Sequence, residues 1–322
     1  MIASVFKMFG SASFWALLLR LATPILFAAM GAFVSSASGI SNIAIEAIMT
    51  LSAIGGVLGS YFTQSAVMGC IIGLAVGVLF ALLIALFSME LGASPILVGI
   101  ALNTFADSLA IFILYTITGQ KGTSASLKTP TLGSVDIPVI KDIPFIGQIF
   151  SGHYVTTYIC WIVIILTAIM IYKTPLGLRI RSCGLNDQAA ETAGINVNKM
   201  RVLALALSGI YAGFGGLFLS LNSIGLFSKN MVSGLGWMGI AANGIASSNF
   251  LVLILSSLVF AVFRAVSAIF STNQAFPTDL VNALPYFAVI VILIVTGVAK
   301  RIGQRKGSND VVLGEVRDKH RH

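Results

Sequence analysis

Long apolar runs alternate with short polar breaks along the whole chain, and the runs set its architecture. Nine of them approach the length of about 20 residues that a helix needs to cross a bilayer core: Phe14 to Ser35, Ile40 to Phe62, Ala66 to Met89, Ala93 to Thr118, Tyr154 to Tyr172, Val202 to Ile224, Met231 to Ser247, Phe250 to Phe270 and Val281 to Ala299. In lipid every backbone amide must be satisfied within its own segment, so the runs predict helices and an all-α, polytopic membrane protein. The seventh run is short and carries Gly234, Gly236, Gly239 and Gly244, which leaves its status to other arguments.

Charge placement supplies one. Lys and Arg accumulate in cytoplasmic segments, and here a polar island from Lys173 to Arg201 holds five of them against two acids. Seven more crowd the stretch from Lys300 to Arg321. Both regions read as cytoplasmic, so an even number of crossings separates them, and the seventh run must cross or re-enter to give four. Five spans precede the island, which puts the N-terminus outside and Gly119 to Gly152, with Pro130, Pro138 and Pro144, in an outer loop; Lys7 and Arg20 pull mildly the other way. Residues 1–299 then form one membrane domain in a 4+1+4 arrangement, with a flexible basic tail at 300–322. The halves would run in opposite directions, as in an inverted repeat. Each half opens its second span on a polar, glycine-containing stretch, GISNIAIEA from Gly39 to Ala47 and GWMGIAANG from Gly236 to Gly244. Helices broken at matching places point to a substrate site.

Composition removes other classes. At 57% apolar and 9% charged residues, with a mean hydropathy of +0.98, the chain lies far from soluble proteins. Its net charge of +8 follows membrane orientation, not an aromatic-laced basic face, so no nucleic-acid partner is expected. Cys70, Cys160 and Cys183 are as scattered as His153, His320 and His322, which argues against a disulfide framework or a metal site. The acids show no catalytic spacing, and GQKGT at Gly119 to Thr123 lacks the spacing of a phosphate-cradling loop, so neither catalysis nor nucleotide hydrolysis is expected of the chain itself. Pro24 and the early apolar start at Phe14 argue against a leader cut near SSASG. Gly69, Gly73 and Gly77 fall on one helix face, where small residues allow close helix packing, within the chain before between subunits.

Ionisable groups at bilayer depth cost about 2.5 to 3.5 kcal/mol on insertion scales and so face protein or water. Asn42 with Glu46, and Asn103 with Asp107, share helix faces at i, i+4. Asn222, Trp237 and Asn243 would complete a polar pathway from the second half, with Trp237 able to stack on a base or sugar. Alternatively these groups bond helix ends or neighbouring helices. If Glu46 and Asp107 instead bound cations, the chain would be a secondary transporter of a small polar solute, driven by an ion gradient.

Within the island, Asn186 or Asp187 can cap a helix start, Gln188 to Ala193 favour helix and Gly194 suits a left-handed C-terminal cap. Two turns alone are marginal in water, so the helix must be docked. Leu185, Ala189 and Ala193 form an apolar stripe suited to a shallow groove on a partner.

The run KTPLGLRIRSCGLNDQAAETAGINVNKMRVLALALSGIYAGFGG, Lys173 to Gly216, resembles the cytoplasmic coupling segment of ABC-transporter permeases of the ribose, branched-chain amino acid and nucleoside uptake group. TPILFAAMGAFVSSASGISNIAIEAIM (Thr23 to Met49), LGASPILVGIALNTFA (Leu91 to Ala106) and SGLGWMGIAA agree, and the nucleoside-type permeases are the most similar. Ala47 departs from the family pattern where a glycine commonly follows the glutamate, as do Ser247, Ser248 and Asn249 at a turn that usually contains glycine. The resemblance implies a coupling helix, Leu185, Asn186, Asp187, Ala189, Ala190, Glu191, Ala193 and Gly194, seated in a separate ATPase that binds ATP and Mg. It further implies a second permease, identical or homologous, an extracellular or periplasmic binding protein, no cofactor in this chain, and a nucleoside or related small solute crossing the cell membrane.

Overall fold

The computed structural model describes residues 10–138 and 146–272, with isolated positions between 287 and 297. Helix α1 (Ala12–Ala37) starts where Ser11 accepts a bond from the Phe14 amide, and runs unbroken through Pro24. Next come α2 (Ile45–Thr63), α3 (Ala66–Ala85), which continues through a π turn at Leu86–Glu90, and α4 (Pro95–Thr118). Pro95 opens α4 where its missing N–H would have no partner in any case. A short pairing of β1 (Ser134–Val135) with β2 (His153–Tyr154) brackets α5 (Ile146–Phe150). The chain proceeds through α6 (Val155–Lys173), α7 (Pro175–Leu185), α8 (Asp187–Thr192), α9 (Val197–Leu217) with a π segment at Phe218–Ile224, α10 (Leu235–Ala246) and α11 (Phe250–Thr272).

Seven helices among the described residues are long and apolar enough to cross a membrane, and α10 is a shorter apolar helix. These eight coincide with the first eight apolar runs; the ninth, Val281 to Ala299, falls almost wholly outside the described residues, as does the whole tail, so the described residues do not test the ninth crossing. Contacts divide the chain into two compact units, Met1–Ala265 and Val266–His322, and all packing discussed below belongs to the first.

Burial ranks the spans. The apolar windows of α1 and α2 are 78% and 72% buried against 22% for α4 and 28% for α6, so the first pair is central and the second peripheral. Helix α1 is central because Ile25, Phe27, Ala28, Ala29 and Met30 are wholly buried in the core. Helix α3 lies close against α2 and α9 because its glycine stripe faces them. A Cβ at Gly69 would stand 2.6 Å from the Gly56 carbonyl oxygen, one at Gly73 2.8 Å from that of Ser52, and one at Gly77 2.8 Å from that of Gly209. The stripe is thus used for packing within the chain.

The first half breaks where expected, whereas in the second half Gly236 to Gly244 lie inside the continuous α10 and the break comes before them, because the left-handed Gly234 ends the turns and α10 starts at Leu235. Residues 38–44 form no regular structure between α1 and α2. Residues 225–234 form turns between the π segment and α10, and Gly225 and Gly234 there hold left-handed backbone at φ +72° and +79°. At this end of the bundle the long loop folds back: Phe227 donates its amide to the Ser124 hydroxyl at 2.8 Å and Ser60 its hydroxyl to the Pro130 carbonyl at 2.8 Å. Helices α7 and α8 project from the opposite end, where α6 stops and α9 begins.

Candidate functional site

A helix that starts inside a membrane exposes backbone N–H groups with no intrahelical partner. Gly234, the N-cap of α10, has no side chain to offer them. Glu46, in the first turn of α2, supplies the acceptor instead: Oε1 takes the Gly234 amide at 2.7 Å and Oε2 the Gly236 amide at 2.8 Å. A carboxylate at this place is also favoured by the positive end of the helix dipole. The approach is close, since a Cβ at Gly236 would lie 2.7 Å from both the Glu46 amide nitrogen and Oε2.

The start of α2 has the same need, because its N-cap Ala44 forms no side-chain bond. Asn103 of α4 meets it by accepting the Ala47 amide at 2.8 Å and donating Nδ2 to the Ile43 carbonyl at 3.0 Å. Asn42 accepts the Ala44 amide at 3.0 Å and donates to the Ser208 hydroxyl of α9 at 2.9 Å. Asn243 of α10 donates to Ser36 of α1 at 2.9 Å. Asn42, Glu46, Asn103 and Asn243 therefore bond helix ends and neighbouring helices, and they join α1, α2, α4, α9 and α10 around the two breaks.

The other three candidates differ. Asp107 is exposed one turn beyond Asn103, makes no hydrogen bond or ion pair among the described residues, and lies within electrostatic range of Glu46 and Lys229. Trp237 is 43% exposed on the first turn of α10, beside the Glu46 contact. Asn222 is only 6% exposed in the π segment, with both atoms of its amide unpartnered. Sequence reading missed Ser208, Ser36 and Lys229; the first two are ordinary helix serines, while Lys229 stands out as a cation in a weakly charged half. No group of three or more His, Cys, Asp or Glu able to hold a metal occurs among the described residues. Donors around Glu46 are backbone N–H groups, a set that receives an anion, with one N–H on each oxygen.

The island adopts its expected caps. Asn186 accepts the Ala189 amide at 3.0 Å, Asp187 is the first helical residue, and Gly194 turns the chain at φ +84° while Ile195 donates to the Ala190 carbonyl at 3.0 Å. Ala190 is 3% exposed and packs with Cys183 and Val197, flanked by Ile195 and Met200, so α8 is held by its own chain. The expected single stripe is corrected: Asn186 is extended at φ −156°, which ends α7 after Leu185 and takes that residue off the ladder of Ala189 and Ala193. Leu185, Asn186, Asp187, Ala189, Glu191, Ala193 and Gly194 are all exposed, and Leu185 is 88% so. Arg201 joins this tip to the first break, pairing with Asp187 at 3.3 Å and donating to the Ser38 carbonyl at 3.4 Å.

Apolar spans interrupted by irregular segments, a polar exposed strip beside one break and a solvent-facing helix tip joined to the other define a multi-pass membrane transport subunit. The chain belongs to the family of permease components of branched-chain amino acid transport systems, which it matches over residues 15–295. It is 31% identical over 281 residues to the nucleoside ABC transporter permease NupC of Lactococcus lactis, covering 84% of this chain and 88% of that one. Identity to the guanosine ABC transporter permease NupQ of Bacillus subtilis is 30% over 298 residues, 89% of this chain and 92% of that one. The fold is similar to PsaBC of Streptococcus pneumoniae, solved with a Fab, at a TM-score of 0.55 and 14% identity over 91% of this chain and 95% of that one. It is the permease subunit of an ABC importer, and its role is transport, not catalysis.

Proposed function

We propose that this permease carries nucleosides, drawing energy from a separate ATPase that binds ATP and Mg and seats the exposed tip of α7 and α8. A second permease, identical or homologous, closes the pathway, and a binding protein outside the cell delivers the solute. The N-terminus lies outside and the C-terminus in the cytoplasm. Two relatives matched over most of their length are named for nucleoside or guanosine transport.

The observation that carries the reading is Asp107. It stands near the middle of α4, about 17 Å from either end at 1.5 Å per residue, exposed and without an ion-pair partner among the described residues. A carboxylate at that depth does not face lipid. It faces a hydrated passage formed with the second permease, and there it accepts sugar hydroxyls while Trp237 offers its ring to the base. The Glu46 contact leaves Asp107 as the free acceptor of the pair, so cation coupling through both acids is disfavoured.

The test is uptake of labelled guanosine, with and without ribose or free base as competitor, in cells carrying the complete transporter. Asp107→Ala and Trp237→Ala should each raise the apparent KM about tenfold or more, the value of one or two lost polar or stacking contacts. Uptake that ignores all nucleosides, or that survives loss of the ATPase and collapses with an ionophore, would overturn the proposal.

A further inference from the structure

A groove of about 760 Å³ opens beside the tip of the island, between α7 and the first turn of α9. Pro175, Leu178, Ile195 and Met200 give it apolar walls, and Arg179 and Lys199 stand on its rim. Both cations are exposed, and neither side chain forms an ion pair or hydrogen bond among the described residues. The only acid of the island in an ion pair there, Asp187, is taken by Arg201. The start of α9 adds its own partial positive charge.

Depth identifies what such a groove meets. The apolar run of α6 ends at Tyr172 and that of α9 begins at Val202. Pro175, Lys199 and Met200 lie within three residues of those ends. The groove therefore opens at the level of lipid headgroups; Leu185 to Thr192 lie outside it, while Ala193 and Gly194 are part of its lining. An exposed Leu178, at 62%, beside two unpaired cations presents an apolar and a cationic surface together, which suits an amphiphilic anion. We infer that this groove is a binding site for an anionic phospholipid, its phosphate held by Arg179 and Lys199 and its glycerol and upper acyl carbons against Leu178 and Met200.

The full chain in phosphatidylcholine nanodiscs doped with phosphatidylglycerol, released and weighed by native mass spectrometry, tests this. Phosphatidylglycerol should be retained over phosphatidylcholine, and Arg179→Gln with Lys199→Gln should weaken its retention about twenty-five-fold, fivefold for each cation. Arg179→Lys with Lys199→Arg should keep it, as should Lys121→Glu at the other end of the bundle. Equal retention of both lipids, or undiminished phosphatidylglycerol on a double Gln variant that elutes as a folded protein, would overturn the inference. So would displacement by millimolar inorganic phosphate, which marks a free-anion site, or loss of the lipid on addition of the ATPase, which marks a protein surface. If the Gln variant does not fold, the Lys/Arg exchange decides alone: a loss of lipid preference in it counts against the site.

Discussion

Replacing Glu46 is the sharpest perturbation available, because its carboxylate holds the N-cap of a helix, Gly234, 188 residues later in the chain. Alanine at this position strands the amides of Gly234 and Gly236, the second buried and the first half-buried. An orphaned buried donor costs about 1 to 3 kcal/mol, and the lost charge at a helix start adds about 0.3 to 1 kcal/mol. The half-exposed Gly234 belongs at the low end, which gives about 4 kcal/mol for Glu46→Ala. Glutamine keeps one acceptor and turns an amide NH₂ toward the other N–H, donor against donor, so about 2 kcal/mol is expected for Glu46→Gln.

The effect is local, and hydrogen exchange reads it locally. In the full chain, amide protection at residues 234–237 should fall about thirtyfold in the Gln variant and about a thousandfold in the Ala variant. Peptides from α3 should keep their protection. A loss below about threefold at 234–237 in Glu46→Ala would refute the reasoning, since it would mean that α10 holds its first turn unaided. An equal loss in α3 would refute it too, because the carboxylate would then be supporting the whole bundle and not one helix start.

Two glycines of α10 form a matched pair. Gly236→Ala should abolish folded protein on size exclusion, because its Cβ would meet the Glu46 backbone at 2.7 Å, whereas Gly244→Ala, with nothing within 4 Å, should raise thermal stability by up to about 1 kcal/mol. Ser248 sits at φ +74°, left-handed backbone that suits glycine, so Ser248→Gly should stabilise by about 1 kcal/mol in a thermal melt. His153 lies just ahead of α6, and its Nε2 donates to the Ile149 carbonyl at 2.6 Å. Burial holds its imidazole below the ordinary value of 6.5, the carbonyl opposing and the Arg20 charge assisting. The unfolded chain then binds the extra proton first, so stability is complete above pH 6.5 and falls as the pH drops below it. Melts taken at falling pH should show this decline in the wild type and a flatter profile in His153→Gln.

Much of the fold was legible because its rules are local. The length of an apolar run, the amide of Asn186 and the left-handed Gly194 act within a few residues, and a reader of the chain meets all the parties at once. Counting crossings between basic regions even rescued α10, which is too short to declare itself. The candidate site was legible only in its membership. Helical spacing says that Asn42 and Glu46, or Asn103 and Asp107, share a face, but not what lies on that face. Asn103 meets the backbone of α2 and Asp107 meets none, though they stand one turn apart. The stripe of Leu185, Ala189 and Ala193 failed for a related reason: the cap that starts α8 is also the residue that ends α7.

The irregular segment 38–44 is where these threads meet. Its first residues abut the island, with Ser38 bonded to Arg201 and the Gly39 site 3.3 Å from the Gly184 Cα. Its later residues are fixed to α9 through Asn42 and to α4 through Ile43, and α2 then begins one residue before Glu46. A segment held at so many points cannot take up a displacement of α7 by bending alone. The bonds run on from the tip to the start of α2, and from there, through one carboxylate, to the first turn of α10, which carries Trp237. The few polar groups of an otherwise apolar chain thus form one connected series, from the exposed tip at Asp187 to the exposed ring of Trp237.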